Sequence, residues 1–126
     1  MGRRILIVDD NPDTRDALRE LFRSWGHEVD VAADGCEAIT LCLERCPDVV
    51  LLDIRLPDLD GHDVARRMRC TPGGDARSII ALTGSDDDEA AAATFDAYIL
   101  KPADPDVLRR AVEGASVARS DAKARA

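Results

Sequence analysis

The sequence predicts an α/β fold, one layer of parallel strands with helices on both faces. Three observations carry that expectation. Short apolar runs alternate with stretches of helical spacing, three of the four runs are rich in β-branched residues, and capping side chains, glycine and proline fall between them. Parallel strands covered on both faces read as unbroken apolar runs, because neither face meets water.

The elements follow in order. ILIV at 5–8 is the first strand. Asn11-Pro12 then supplies an N-cap followed by proline in the first turn, opening a helix whose apolar face holds Leu18, Leu21, Phe22 and Trp25, and Gly26 closes it. Val29-Asp30-Val31-Ala32 alternates apolar with polar, as an edge strand with one wetter face does. Ile39, Cys42, Leu43 and Cys46 mark the apolar face of a second helix, VVLL at 49–52 a strand, and Val64 and Met68 a third helix. IIAL at 79–82 and YIL at 98–100 are the last two strands. Between them Ser85 stands as an N-cap before the acidic start Asp86-Asp87-Asp88-Glu89, suited to a helix N-terminal dipole. Asp104-Pro105 repeats the capping device before a last helix with Leu108, Ala111, Val112 and Ala115. The expected order is βαβαβαβαβα, five strands and five helices.

The chain has 126 residues, a length that suits one domain, assigned to 1–118 with a small polar tail at 119–126. Lys and Arg number 17 against 25 Asp and Glu, a net charge of −8 that repels phosphate backbones and anionic lipid. Phe22, Trp25, Phe95 and Tyr98 are the only aromatics, so no stacking platform for single strands exists, and direct nucleic-acid or membrane binding is not expected. Apolar runs stop at four residues, which excludes a spanning segment and points to the cytoplasm. Cys36, Cys42, Cys46 and Cys70 form no C-x-x-C pair; Cys42 and Cys46 are expected in the core as reduced thiols. Arg66, Arg67, Arg69 and Arg77 read as a solvated basic face, and His27 and His62 belong to no ligand cluster. The Gly73-Gly74 pair lacks the pattern of a nucleotide-binding loop and reads as a connector.

In an open parallel sheet ligands bind outside the carboxyl ends of the strands. The first strand runs into Asp9-Asp10, the third into Asp53, the fourth into Thr83 and the fifth into Lys101, so four polar endings converge on one rim. Singly, each has a bland reading as a cap or a turn residue. Together, three carboxylates repel one another unless a cation sits between them. An all-oxygen donor set favours Mg²⁺ or Mn²⁺ over zinc, and Mg²⁺ commonly completes its shell with water and a phosphate oxygen. A carboxylate can attack a phosphoryl group to form an acyl phosphate. Asp53, ending the most hydrophobic strand, is the expected nucleophile, with Asp9 and Asp10 on the metal, the Thr83 hydroxyl on one phosphoryl oxygen and Lys101 on another. Lys101 stands out because the chain uses 15 Arg and two Lys, the other being Lys123.

ILIVDDN at 5–11, DVVLLDIRLPDLDG at 48–61, ALTG at 81–84 and YILKP at 98–102 resemble the receiver domain of two-component response regulators, over nearly the whole chain. The resemblance implies a flavodoxin-like, doubly wound sheet with strand order 2-1-3-4-5, and a receiver standing alone or belonging to a hybrid kinase. It implies that Asp53 takes a phosphoryl group from a histidine kinase or histidine phosphotransfer protein, and that output goes to a downstream protein target. Asp10 and Asp53 would bind Mg²⁺ by side chain and Arg55 by its backbone carbonyl, with Asp9 acting mostly through water. Thr83 and Tyr98 would form the switch pair, and the Lys101-Pro102 bond would be cis. Pro57 and Gly61 match the loop after the phosphoacceptor strand.

The stretch from Thr83 to Lys101 is about four residues shorter than in most receivers, which predicts a fourth helix shortened by one turn. Thr94 also stands where receivers commonly have glycine. Two other functions compete with this one. A Mg²⁺-dependent phosphatase using an aspartyl phosphate needs a second acid two residues after the nucleophile, and position 55 is arginine. A degenerate receiver, acting only as a binding module, is disfavoured because Asp9, Asp10, Asp53, Thr83 and Lys101 are all present.

Overall fold

Nine elements form among the residues that the computed structural model describes, which are 2–71, 77–83, 95–100 and 104–113. In chain order they are β1 (Arg4–Val8), α1 (Pro12–Ser24), β2 (Glu28–Ala32), α2 (Gly35–Arg45), β3 (Val49–Asp53), α3 (Gly61–Arg69), β4 (Ser78–Thr83), β5 (Ala97–Leu100) and α4 (Pro105–Glu113). The strands make one parallel sheet in the order β2-β1-β3-β4-β5. The helix expected within 85–94, the Gly73-Gly74 connector, Lys101-Pro102 and the tail lie outside the described residues. Four helices are therefore described, not five.

Alternation along each strand builds two cores. Leu6 and Val8 of β1, Val50 and Leu52 of β3, and Ile79 and Ala81 of β4 face α2 and α3 with Ala38, Cys42, Val64 and Met68. Ile5 and Ile7, Val49 and Leu51, and Ile80 and Leu82 face the other way, against Phe22 of α1 and Leu108 and Val112 of α4. Burying a side chain of this size contributes about 1.5–3 kcal/mol, so both faces of the central strands are strongly held. β2, at the edge, has the mixed exposure its alternating pattern suggests.

Helix starts follow the capping residues. The Asn11 side chain accepts from the N–H groups of Asp13 and Thr14, with Pro12 in the first turn of α1. Gly26 leaves that helix at φ +92°, a left-handed conformation that suits glycine. The Asp104 carboxylate accepts from Asp106 N–H (2.8 Å) at the start of α4.

Two expectations need correction. The buried stripe of α2 is centred on Ala38 and Cys42, while Leu43 is 55% exposed and Cys46 is exposed as well. Cys46 leaves the helix as a left-handed C-cap at φ 48°, which turns it away from the core one turn after Cys42. The arginine group is also not one solvated face. Arg77 is 2% exposed; its guanidinium donates to Pro47 O (2.9 Å), Met68 O (3.0 Å) and Thr71 Oγ1 (2.6 Å), tying the C-terminal end of α3 beneath the sheet. Arg69 reaches Arg77 O and forms an ion pair with Asp96 (2.7 Å), whose carboxylate also accepts from Ile79 N–H. Arg66 pairs with Asp63 and keeps its place on the outer face of α3.

His27 is buried by a specific bonding pattern. Its Nδ1 accepts from Arg3 N–H (3.0 Å), and Nε2 meets the Glu113 carboxylate (3.3 Å). A ring that accepts at Nδ1 carries its proton at Nε2, so the neutral tautomer already fits both partners. Burial alone would raise the Glu113 carboxyl, but hydrogen bonds from Arg109 and His27 and the charge of Arg109 bring it below its ordinary value. The cluster joins the start of β1 to the last turn of α4, away from the strands' carboxyl ends.

Candidate functional site at the carboxyl ends of β1 and β3

Asp9 follows β1, and its N–H donates to Ala32 O (3.1 Å), continuing the pairing with β2 by one bond. Its side chain is 1% exposed and turns back to accept from Asn11 N–H (2.9 Å). Arg15, one turn into α1, donates to the Asp9 carbonyl oxygen (2.8 Å). These bonds hold the corner between β1 and α1, and Asp10 projects from it as an exposed residue.

Asp53 ends β3 beside Leu82 of β4 and is 7% exposed. Its Oδ1 accepts from Arg55 N–H (3.1 Å), so the first turn of the following loop orients the carboxylate. Oxygen atoms from Asp9, Asp10 and Asp53 all lie within 4.8 Å of one another. Residues 44 positions apart thus share one small acidic corner, because β1 and β3 are neighbours in the sheet.

At that separation two full charges repel by roughly 3–4 kcal/mol at an effective dielectric of 20. A cluster of this kind suits a hard divalent cation. Carboxylates are hard oxygen donors, the cluster has no sulfur or imidazole, and Asp10 opens to water that can complete a Mg²⁺ or Mn²⁺ shell. The donor set therefore fits such an ion.

The loop from Ile54 to Gly61 is closed on itself. Gly61 N–H donates to Ile54 O (3.0 Å), and Arg55 pairs with Asp60 in an isolated antiparallel bridge. A Cβ on Gly61 would lie 2.6 Å from Ile54 Cα and 2.7 Å from its carbonyl oxygen, so close approach requires glycine here. Asp60 then caps α3 by accepting from His62 N–H (2.8 Å).

Thr83 is the last residue of β4, one step beyond the position opposite Asp53, and pairs with Leu100. Tyr98 lies in β5 opposite Ala81. Those two positions are placed by their backbone at the same side of the sheet, and Lys101 falls outside the described residues. Sequence reasoning missed Arg15 and Asp58. Asp58 accepts from the N–H groups of Gly35 (2.8 Å) and Cys36 (3.0 Å) across 22 or more residues, which no local period reveals. These bonds hold the Asp58 carboxyl down at about 2: the Gly35 bond is the largest influence, burial opposes it, and Cys36 adds to it.

A parallel five-stranded sheet with an acidic corner at the ends of its first and third strands defines a class of protein, and comparison with known proteins agrees. Residues 5–113 match the family model of the response regulator receiver domain, and the chain belongs to that family. It is 39% identical over 113 residues to an uncharacterized 14.6 kDa protein of Leptolyngbya boryana, covering 86% of each chain. It is 41% identical over 106 residues to the response regulator MprA of Mycobacterium sp. (strain KMS), covering 81% of this chain and 45% of that one, so it spans less than half of that relative. Among solved structures, the receiver domain of the sensor histidine kinase PA1611 of Pseudomonas aeruginosa PAO1, with magnesium coordinated in its active-site cleft, is similar with a TM-score of 0.81. It shares 33% identity, over 90% of this chain and 96% of that one. No helix among the described residues is long and apolar enough to cross a membrane.

Proposed function

We propose that this receiver accepts a phosphoryl group on Asp53 from a phosphohistidine of a histidine kinase or phosphotransfer protein, and then acts as a switch on a downstream protein target in the cytoplasm. The observation that carries this reading is the approach of Asp9, Asp10 and Asp53 to within 4.8 Å at the carboxyl edge of the sheet. Asp9, Asp10, Asp53 and the Arg55 carbonyl would hold Mg²⁺ or Mn²⁺, which neutralises charge on the phosphoryl oxygens when bound. An Asp53 oxygen forms the bond to phosphorus as the donor's N–P bond breaks, and the imidazole nitrogen keeps that electron pair. The Arg55 N–H bonds one Asp53 oxygen and so orients the carboxylate. Thr83 and Lys101 are assigned to the phosphoryl oxygens, and Thr83 with Tyr98 to the switch. The functional unit is assigned to 1–118, with 119–126 as a tail. The protein is a signalling switch whose only chemistry is autocatalytic phosphorylation and dephosphorylation.

The test is incorporation from a small phosphodonor such as acetyl phosphate with Mg²⁺. The wild-type chain is expected to gain one hydroxylamine-labile phosphoryl group, and Asp53→Asn none. A labile phosphoryl group on Asp53→Asn would remove Asp53 from its role.

A further inference from the structure

Helix α2 already has a cap of its own. The Asp34 carboxylate accepts from Glu37 N–H (2.8 Å), and Glu37 answers by accepting from Ala33 N–H (2.7 Å), a reciprocal pair that satisfies two of the N–H groups around the helix start. Asp58 nevertheless comes in from the loop after β3 and takes the two N–H groups that pair leaves, those of Gly35 and Cys36. What Asp58 adds is a tie between two distant segments. The packing agrees, since a Cβ on Gly35 would lie 2.8 Å from Val64 Cγ2 and 3.0 Å from Leu59, so loop and α3 rest flush on the first turn of α2.

The tie completes a circuit around the acidic corner. Asp9 N–H is bonded to Ala32 O, and Ala32 lies three residues before Gly35. Gly35 and Cys36 are bonded to Asp58, inside a loop that Gly61 and the Arg55–Asp60 bridge close. That loop begins with Arg55 N–H on the Asp53 carboxylate. Hydrogen bonds joined by short stretches of backbone thus run from the Asp9–Asp10 corner by way of β2, the start of α2 and the loop to Asp53.

We infer that Asp58 is a positioning residue for the divalent-cation site, holding the loop that follows Asp53 and carries Arg55 at a fixed distance from Asp9 and Asp10 by its two bonds to α2. The inference rests on the proposed function of the same site. Without those bonds the loop keeps its own closure at Gly61 but loses its anchor on α2. The Arg55 carbonyl, and the Asp53 carboxylate that the Arg55 N–H orients, then sample a wider range of positions about Asp9 and Asp10, and a cation that demands near-octahedral geometry binds more weakly.

Mg²⁺ titrations followed by amide NMR separate the possibilities, using the full chain as wild type, Asp58→Ala, Asp58→Asn and Asp34→Ala. Asp34→Ala weakens the same helix start without touching the loop, so it is the control for a merely structural role. Wild type is expected to saturate with shifts at Asp9, Asp10 and Asp53. Asp58→Ala should weaken binding five- to twentyfold, Asp58→Asn, which keeps one acceptor oxygen, by less, and Asp34→Ala by under twofold even as its Tm falls. Asp58→Ala and Asp58→Asn within twofold of wild type, or Asp34→Ala weakened as much as Asp58→Ala, would overturn the inference alone. Absence of any Mg²⁺ response in the wild type would instead remove the reading of the site on which it rests.

Discussion

Arg77 and His27 are charged or chargeable residues that the fold has taken out of water, and each is kept by specific partners. The Arg77 guanidinium reaches three oxygens from three different places in the chain. Removing it leaves the Pro47 and Met68 carbonyls and the Thr71 hydroxyl without that donor, and an unsatisfied buried polar group costs about 1–3 kcal/mol. Arg77→Met is therefore expected to lower unfolding free energy by about 2–4 kcal/mol in urea titrations; a loss under about 1 kcal/mol would mean that Arg77 is not the tie described. In the sequence Arg77 looked like a fourth member of a solvated basic face. Arg66, Arg67 and Arg69 share a helix, but Arg77 lies beyond the connector, and neither charge nor spacing says that three oxygens await it. The carboxylates were more legible, because each ends an apolar run that can only be a buried strand.

Helix starts and strands are readable in the sequence, and side-chain ties between them are not. Asn11-Pro12 and Asp104-Pro105 act within three residues of themselves, so their chemistry shows in the local sequence. The buried face of α2 keeps Ile39 and Cys42 but departs from the expected one at Leu43, because Leu41 extends the stripe on the other side, and at Cys46, which adopts a left-handed exit that periodicity assumes away. The Asp58 tie from the β3–α3 loop to α2 is invisible for a different reason, its partners lying more than twenty residues off. It has a pH signature. The Asp58 carboxyl sits at about 2 in the folded chain against an ordinary 3.8, so its contribution to stability is complete above about 3.8 and is lost as pH falls through 2. Between pH 4 and pH 2 the urea midpoint of wild type is expected to fall more steeply than that of Asp58→Asn, which has no proton to gain at this position. Parallel curves would contradict the assignment.

The strand order β2-β1-β3-β4-β5 explains why the corner lies where it does. β1 and β3 are parallel neighbours at the centre of the sheet, buried on both faces, so the residues that end them emerge side by side with little freedom. The net charge of −8 gives the molecule no general attraction for anions, and a phosphoryl group would be held by local neutralisation at this corner. Family membership, fold and the three carboxylates support one account, in which the carboxyl edge of the sheet is a magnesium-dependent phosphoryl site centred on Asp53. The most direct measurement is an amide NMR spectrum of the chain with and without Mg²⁺ and beryllofluoride, a phosphoryl mimic. The account predicts saturable shifts largest at Asp9, Asp10, Asp53, Arg55 and Thr83, abolished in Asp53→Ala; unchanged spectra, or shifts that survive Asp53→Ala undiminished, would contradict it.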